Sequence, residues 1–289
     1  MPKEKIVVVG GICFKRGIEG NCHLQHLTLR QAKNSGVNGK SSFTMDDVFV
    51  EQCGGYGVYA GDTGVVGRCT NVEVRQCGCS GVIVSAGASI TLIGAKTTVH
   101  HNCTRGRSCN YGLTVYGSSS TIQLVSPLTK EQVALDNDGG GNWGAEDGWG
   151  EGGDIHQIKT IAPTAETKIE TKPEDTTNRD VLQTLPTFMQ RQIVAFFGYK
   201  DFTLAGRTCR YLNALWQEAL DKKRWPLYVP EDCKTLKEAV TRVAQEPRMT
   251  TIVLGEGEHH IDGRYLVVSS VLSIVGRPDV PKEKIVTAS

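Results

Sequence analysis

The first half of the chain repeats itself every 21 to 25 residues, and this periodicity constrains the fold more than any other feature of the sequence. Each repeat has a stretch in which apolar and polar residues alternate, a corner of small residues, and a second short apolar stretch. The alternating stretches are His26–Gln31, Asp47–Gln52, Asn71–Gln76 and, more loosely, Thr98–Asn102. The second stretches begin at Gly36, Gly57, Gly81 and Gly112. The pattern predicts one unit of several short strands per repeat, with neighbouring units stacked on each other.

Two-residue alternation also predicts which side chains are buried, because successive residues of a strand point to opposite faces. The residues expected to point inward are Val48, Val50, Val58, Val72, Val74 and Val82. Leucine-rich repeats have a similar length, but their Leu-x-x-Leu-x-Leu frame is absent, and tetratricopeptide and ankyrin repeats are longer and helical. The pattern resembles the right-handed parallel β-helix family, the pectate-lyase-like fold, over residues 5–135. The resemblance implies a mainly β fold class, a right-handed parallel β-helix solenoid whose coils occupy residues 1–155.

Charge and cysteine usage narrow the class of protein. The chain has 32 Lys and Arg against 31 Asp and Glu, a net charge of +1, which argues against a nucleic-acid-binding protein. No run of about 18 apolar residues is present, so no membrane span is expected, and the first residues do not form a secretory signal. The expected compartment is the cytoplasm or the nucleus, where the 10 cysteines would stay reduced.

Three patterns suggest metal binding, but none predicts a site: a Cys-x-Cys pair, a cluster of Cys103 with His100 and His101, and a stretch like a calcium loop. Cys77-Gly78-Cys79 has no second cysteine pair at zinc-finger spacing, and the cysteines fit small buried side chains of a repeat better. The stretch 136–147 begins like a calcium-binding EF-hand loop, but Gly140 and Asp147 stand at its fifth and twelfth positions, where oxygen ligands and a glutamate are needed. We therefore predict no metal and no cofactor, and a calcium loop is the less favoured alternative.

Residues 156–180 lose the repeat in a Thr-, Lys-, Glu- and Pro-rich stretch that predicts a linker. Within 181–228, apolar residues then recur at three- and four-residue steps, which is typical of short amphipathic helices. This segment resembles the F-box motif, with departures at Thr187, Phe188, Phe202 and Thr208. The residues that carry the resemblance are Leu185, Pro186, Ile193, Phe197, Phe202, Cys209, Leu212, Trp216 and Trp225. The resemblance implies docking onto a Skp1-type adaptor of a cullin–RING ubiquitin ligase; a helical spacer without a partner is the alternative.

Residues 229–289 have the features of the beginning of a β-helix rather than of its end. Thr235-Leu236-Lys237-Glu238 is a capping-box signature that opens an amphipathic helix, and apolar strands are expected at 250–254, 265–268 and 271–275. The segment therefore resembles the N-terminal cap and first coils of the solenoid.

A second observation concerns the order of these segments. Pro281–Val286 repeats Pro2–Val7 identically, so the chain looks permuted relative to an order of F-box, cap and coils. We predict that residues 229–289 pack on residues 5–14, with Val271–Val275 or Ile285–Val286 beside Ile6–Val9. A tandem array of such units and a misassembled gene both remain open as the origin of this order.

An enzyme is not expected. Hydrolytic β-helix enzymes need two carboxylates held about 5 to 10 Å apart across the scissile bond, and Asp46-Asp47 is the nearest match to such a pattern. The two residues should point to opposite faces of a strand, and no partner acid recurs one repeat away. A polysaccharide lyase or hydrolase and a non-catalytic structural protein remain the alternatives.

A binding surface fits the repeat better. Outward residues at one position of stacked strands form a file, and Arg30, Glu51, Arg75 and His100 are predicted to share one, with Tyr59 on another. A rigid surface of mixed polar and aromatic residues is suited to recognition. The predicted function is therefore a substrate receptor, in which the F-box-like segment binds the ligase and the coils bind an unknown protein or glycan target.

Overall fold

The computed structural model describes residues 5–146, 153–163, 226–246 and 249–277. The predicted helical module at 181–228 lies outside these ranges except for its last three residues. The described part is mainly β, as predicted, and its strands form two parallel sheets. Its strands are β1 Ile6–Val9, β2 Ile12–Phe14, β3 Cys22–Arg30, β4 Val37–Gly39, β5 Phe43–Glu51, β6 Val58–Gly61, β7 Val66–Thr70, β8 Glu73–Arg75, β9 Val82–Ser85, β10 Ser89–Ile93, β11 Thr98–His100, β12 Leu113–Tyr116, β13 Thr121–Val125, β14 Ala134–Leu135, β15 Trp143–Glu146, β16 Ile158–Ile161, β17 Leu227–Val229, β18 Thr251–Leu254, β19 Gly257–His260, β20 Leu266–Val268 and β21 Ser273–Gly276. Its helices are α1 Lys130–Val133, α2 Leu236–Gln245 and a 3-10 turn at Ile155–Gln157.

Strand pairing follows the sequence repeat. The larger sheet runs in the order β16-β13-β10-β7-β5-β3-β21-β18-β17, and β1, β8, β11, β14 and β19 join it through β3 and β5. The smaller sheet runs β15-β12-β9-β6-β4-β2-β20. Each strand pairs in parallel with the equivalent strand of the next repeat, as in the register Val37, Val58, Val82 and Leu113. Equivalent side chains of successive repeats therefore form files, and neighbouring strands within a file lie about 4.8 Å apart.

Strands β3 and β5, the two long strands of nine residues each, bend in the middle, so that each contributes to two surfaces. His26 in β3 and Asp47 in β5 both have φ of 52°, and Asn71 has the same value between β7 and β8. His, Asp and Asn tolerate this left-handed conformation better than most residues do. The residue types at the start of each alternating stretch thus mark the bend.

The core lies between the sheets and consists of the inward residues of each repeat. All six valines predicted to be inward have no exposed surface. Larger side chains fill the first repeats, where the rings of Phe14 and Phe43 stack with centroids 5.8 Å apart. The two-residue alternation is therefore confirmed as the signal that separates core from surface.

The C-terminal segment lies against the starting repeat, but through different strands from those predicted. The neighbour of β1 is β19, with Ile6 opposite Gly257, whereas β21 pairs with the first half of β3, with Ile274 opposite Leu24. The expectation that 271–275 lies beside Ile6–Val9 is wrong, because Ile274 stands opposite Ile252 of β18 and Leu24 of β3 and so continues the file of the first half of β3. The alternative strand, Ile285–Val286, lies outside the described residues.

Helix α2 covers the end of the larger sheet next to β17 and β18. The side chain of Thr235 accepts a hydrogen bond from the backbone N–H of Glu238 at 3.1 Å, and the Glu238 carboxylate accepts one from the N–H of Lys234 at 3.0 Å. The helix buries Leu236, Ala239, Val240 and Val243. The capping-box signature thus begins a helix where the sequence predicted one.

Regular structure also extends into the range predicted to be linker. Strand β16 pairs with β13, with Ile158 opposite Ile122, and Ile158 is 4% exposed. The Lys- and Thr-rich composition concealed this strand, which is held by backbone pairing of four residues with β13 and by the inward side chain of Ile158.

Candidate functional site

Four of the five residues predicted for a recognition face lie in one file of the larger sheet. Strands β3, β5, β8 and β11 place Arg30, Glu51, Arg75 and His100 directly next to one another in register. We call the outward surface of these four strands the ion-pair face. The fifth residue, Tyr59, belongs to β6 in the other sheet.

Glu51 is the centre of the ion-pair face. One of its oxygens, Oε1, accepts a hydrogen bond from Arg30 Nε at 2.6 Å. The other, Oε2, accepts from Arg75 Nε at 2.9 Å and from Arg75 Nη2 at 2.7 Å. Only 4% of Glu51 is exposed, so its charge depends on these two arginines for stabilisation.

The protonation state of Glu51 reflects a competition. Burial raises the pKa of Glu51, but the hydrogen bonds and charges of Arg75 and Arg30 outweigh it and hold the pKa below its ordinary value. The hydrogen bond to Glu51 likewise raises the pKa of Arg75. Both groups are therefore charged throughout the neutral range, and the file keeps an alternating positive, negative, positive pattern.

A second outward file runs two residues earlier along the same strands. It contains Thr28, Phe49, Glu73 and Thr98 in register. Glu73 accepts a hydrogen bond from Arg75 Nη1 at 2.8 Å, and the Arg75 guanidinium lies 5.7 Å from the centre of the Phe49 ring. Sequence reasoning assigned no role to Phe49 or Glu73, although the alternation that selected Glu51 and Arg75 also places them on the same face.

His100 lies next to Arg75 at the end of the charged file, and His101 follows it in the chain. His100 Nε2 lies 3.3 Å from Glu73 Oε1, and the Nδ1 atoms of His100 and His101 lie 2.7 Å apart. One ring of that pair donates its proton and the other accepts it. No group of three or more His, Cys, Asp or Glu residues within the described ranges is arranged to hold a metal ion.

The corner beside the ion-pair face is held by buried amides. The side chain of Asn102 donates to the carbonyl of Val74 and to Asn137 Oδ1, each at 3.0 Å. The side chain of Asn137 in turn donates to the carbonyl of Val99 at 2.9 Å. Satisfied buried networks of this kind rigidify the backbone, so the strand ends that carry Arg75 and His100 are firmly placed.

Most of the cysteines in the described residues are buried thiols, which fits their interpretation as small core side chains. Cys22, Cys53, Cys69, Cys77, Cys103 and Cys233 are buried and unpaired. Burial raises the pKa of Cys69 and of Cys103 to about 12. Thiols with such values are protonated at neutral pH and are poor nucleophiles.

Tyr59 and the acidic pair Asp46-Asp47 lie on other surfaces. The hydroxyl of Tyr59 shares a 2.8 Å hydrogen bond with Ser85 Oγ, and its ring stacks on Tyr56. Asp47 Oδ2 lies 2.8 Å from His26 Nδ1. Asp46 Oδ2 accepts a 3.5 Å hydrogen bond from Gln25. Because Tyr59 belongs to β6 of the smaller sheet, the structure separates it from the ion-pair face.

The predicted adaptor-binding residues lie outside the described ranges. They are Leu185, Pro186, Ile193, Phe197, Phe202, Cys209, Leu212, Trp216 and Trp225.

Comparison with known protein families, curated proteins and solved structures finds no match to this chain. Within the ranges described here, no helix has the length and apolar character needed to cross a membrane.

Proposed function

We propose that the chain is a substrate receptor built on a right-handed parallel β-helix of pectate-lyase-like type. In this proposal the F-box-like segment at 181–228 docks onto a Skp1-type adaptor of a cullin–RING ubiquitin ligase, and the coils bind the target. The register of parallel strands one repeat apart supports the β-helix, because each repeat then supplies one turn of the stack. The F-box assignment is supported by the sequence pattern from Leu185 to Trp225.

The observation that carries the recognition role is the ion-pair face. Its charges are fixed in position, because Glu51 is held by two arginines and the strands beneath are buried on their inner side. Fixed, preorganised groups lose little entropy on binding. Phe49 adds an aromatic ring beside Arg75, and aromatic residues and arginine are enriched at protein interfaces.

The chemistry of this surface favours a protein target with an acidic group. Arg30 uses only its Nε for Glu51, and one third of its side chain is exposed. Within the described part of the chain, its two terminal nitrogens have no hydrogen-bond partner, and a planar guanidinium suits a carboxylate. The proposed target therefore places a carboxylate against Arg30 and packs an apolar group near Phe49.

Adaptor binding is tested with the full chain co-expressed with a Skp1-type protein. We expect the two to purify together, and the pair Leu185→Ala with Pro186→Ala to weaken the complex by about tenfold or more, as hot-spot truncations do. Leu182→Ala is the matched control, since it removes a neighbouring leucine that is not part of the F-box pattern. A wild-type chain that binds no such adaptor would contradict the proposal.

The target-binding part is tested separately by ubiquitin transfer in the reconstituted ligase. Arg30→Glu should abolish ubiquitin transfer to a target protein that the wild-type chain binds, while leaving adaptor binding unchanged. Turnover of polygalacturonate, with and without calcium, should be absent. Turnover that disappears with Asp46→Asn would instead support the polysaccharide-active alternative.

A further inference from the structure

The C-terminal segment 226–277 contacts the starting repeat through strand pairs that we call the junction. Strands β19, β20 and β21 lie beside β1, β2 and the first half of β3. Backbone hydrogen bonds cross it in both directions. Ile261 N–H donates to Val9 O at 2.9 Å, Leu266 N–H donates to Gly11 O at 2.8 Å, and Lys15 N–H donates to Val268 O at 2.9 Å. The junction therefore has the same construction as the pairs between consecutive repeats.

The side chains at the junction are shaped to fit one another. The Tyr265 hydroxyl accepts a hydrogen bond from the Ser35 N–H at 3.2 Å, and the Tyr265 ring lies against Gly11. A Cβ added to Gly11 would come within 2.9 Å of that ring, and one added to Gly20 within 2.8 Å of Val271. Two segments far apart in the chain thus fit closely, which is typical of a specific interface.

The connection from β16 to β17 joins opposite ends of the larger sheet. Residues 164–225 connect β16, at one end of the larger sheet, with β17, at the other. Eight strand spacings of about 4.8 Å separate these ends, roughly 38 Å. Residues 164–180, which the sequence predicts to be linker, alone span up to about 55 Å when fully extended, so residues 226–277 can reach the starting repeat of their own chain or that of a neighbour.

A repeated hexapeptide flanks the two strands that meet along β3 at the junction. After β21 the chain continues into Pro281–Val286, which has the same six residues as Pro2–Val7, the approach to β1. In a chain where β21 continued directly into β1, one copy of this hexapeptide would join the two strands.

We infer that the junction is also an interaction surface between two copies of this chain, in which residues 226–277 of each copy dock on β1–β3 of the other. The contacts in this exchanged dimer are those of the closed monomer, so the two forms differ mainly in chain entropy. Closure within one chain is favoured by an effective concentration on the order of millimolar. The dimer is therefore expected when chains fold together at high concentration, and it persists on dilution because exchange requires the junction to open.

A single new cysteine distinguishes the two forms in the full chain. Val267 is 45% exposed and lies opposite the native Cys13 in the β2–β20 pair. Neighbouring parallel strands about 4.8 Å apart are within the Cα separation that a disulfide needs. In Val267→Cys, oxidised glutathione accepts the two electrons, the two thiols lose their protons, and a disulfide forms with release of two molecules of reduced glutathione. All variants carry Cys109→Ser to remove the exposed thiol.

The variant is refolded at low and at high concentration, oxidised, and separated on a non-reducing denaturing gel. At about 5 µM we expect an intrachain crosslink with under roughly one chain in a hundred as covalent dimer, and at about 500 µM roughly a third as dimer. Adding Cys13→Ser should remove both products. An intrachain crosslink alone at both concentrations would overturn the exchange, and the absence of any crosslink in a folded variant would overturn the junction itself.

A second measurement needs no substitution. Two wild-type chains with different affinity tags are either refolded together at high concentration or mixed after folding. The exchanged dimer predicts that one tag retrieves the other only after joint refolding. Retrieval in neither case would contradict it.

Discussion

The ion-pair face and the junction are built from the same kind of parallel strand pair, but they differ in chain continuity. In the ion-pair face, β3 and β5 pair over eight residues, and β5 with β8 and β8 with β11 over three residues each. At the junction, β1 pairs with β19 over four residues, β2 with β20 over three and β21 with β3 over three. The strands of the ion-pair face follow one another within residues 22–100, whereas the two sides of the junction are far apart in the chain. The comparison indicates that consecutive repeats hold the ion-pair face in place, while the junction depends on contacts between distant segments of the chain.

The largest effect is expected in the middle repeats. Val74→Asp places a charge at a position with no exposed surface, where no partner is available, and should lower the free energy of unfolding by about 3 to 5 kcal/mol. The measurement is urea unfolding followed by circular dichroism.

Val66→Asp is the matched control for that experiment. It makes the same change on a strand residue that is 49% exposed, so it should cost less than about 1 kcal/mol. Similar costs for the two variants would mean that the inward and outward assignments are wrong.

A smaller effect is expected at the centre of the ion-pair face. Glu51→Gln removes the charge that Arg30 and Arg75 share, and the loss should be about 1 to 2 kcal/mol, because both arginines are about a third exposed and water partly replaces the pair. Glu258→Gln on β19 is the control, since its pair with His260 is more than half exposed on both sides. A control that is as costly as Glu51→Gln would contradict a special role for the buried pair.

The same pair gives a pH dependence whose sign follows from the lowered pKa of Glu51. The unfolded chain protonates this carboxyl near pH 4.3 and the folded chain at a lower pH. The stabilisation is thus fully present above about pH 4.3 and is lost as the pH falls through the folded pKa. Wild type and Glu51→Gln should therefore converge in stability in acid, as measured by urea unfolding from pH 7 to pH 3, and a constant difference would exclude the charge as its origin.

The smallest effect is expected at the helix that covers the end of the sheet. Thr235→Ala removes the cap on Glu238 N–H and should cost about 1 kcal/mol, confined to the segment that contains α2. Thr235→Ser retains the hydroxyl and should behave like wild type. The measurement is amide hydrogen exchange in 236–245, and unchanged exchange in the alanine variant would show that the cap contributes nothing.

Sequence reasoning worked best where burial and periodicity coincide. The inward valines and the file from Arg30 to His100 follow from a two-residue period and a repeat of constant length, because parallel pairing keeps equivalent residues adjacent. The same reasoning missed β19, whose Gly-Glu-His-His sequence has little apolar character, since backbone pairing to β1 positions it. It also missed α1, which occupies an insertion between β13 and β14.

Phe49 and Glu73 were within reach of the sequence, since they lie two residues before Glu51 and Arg75 on the same face. Their contacts with Arg75 could not be predicted from the sequence. Each side chain can reach several neighbours in the two files, and its contacts depend on rotamers that the periodicity does not encode. Tyr59 was predicted to lie on a second file of the recognition surface, but an outward position does not say which of the two sheets a strand joins.

Residues 226–277 complete the starting repeat through the junction, and amide hydrogen exchange in a junction variant measures this contribution. Ile274 has no exposed surface and lies between β18 and β3, so Ile274→Asp should release the junction. We predict that amide exchange in residues 6–14 accelerates by about tenfold or more while residues 43–51 stay protected, because local opening spares the middle repeats. Val267→Asp, at an exposed position of the same segment, should change neither region. Unchanged exchange at 6–14 in Ile274→Asp, or equal acceleration at 43–51, would mean that residues 226–277 do not complete the starting repeat.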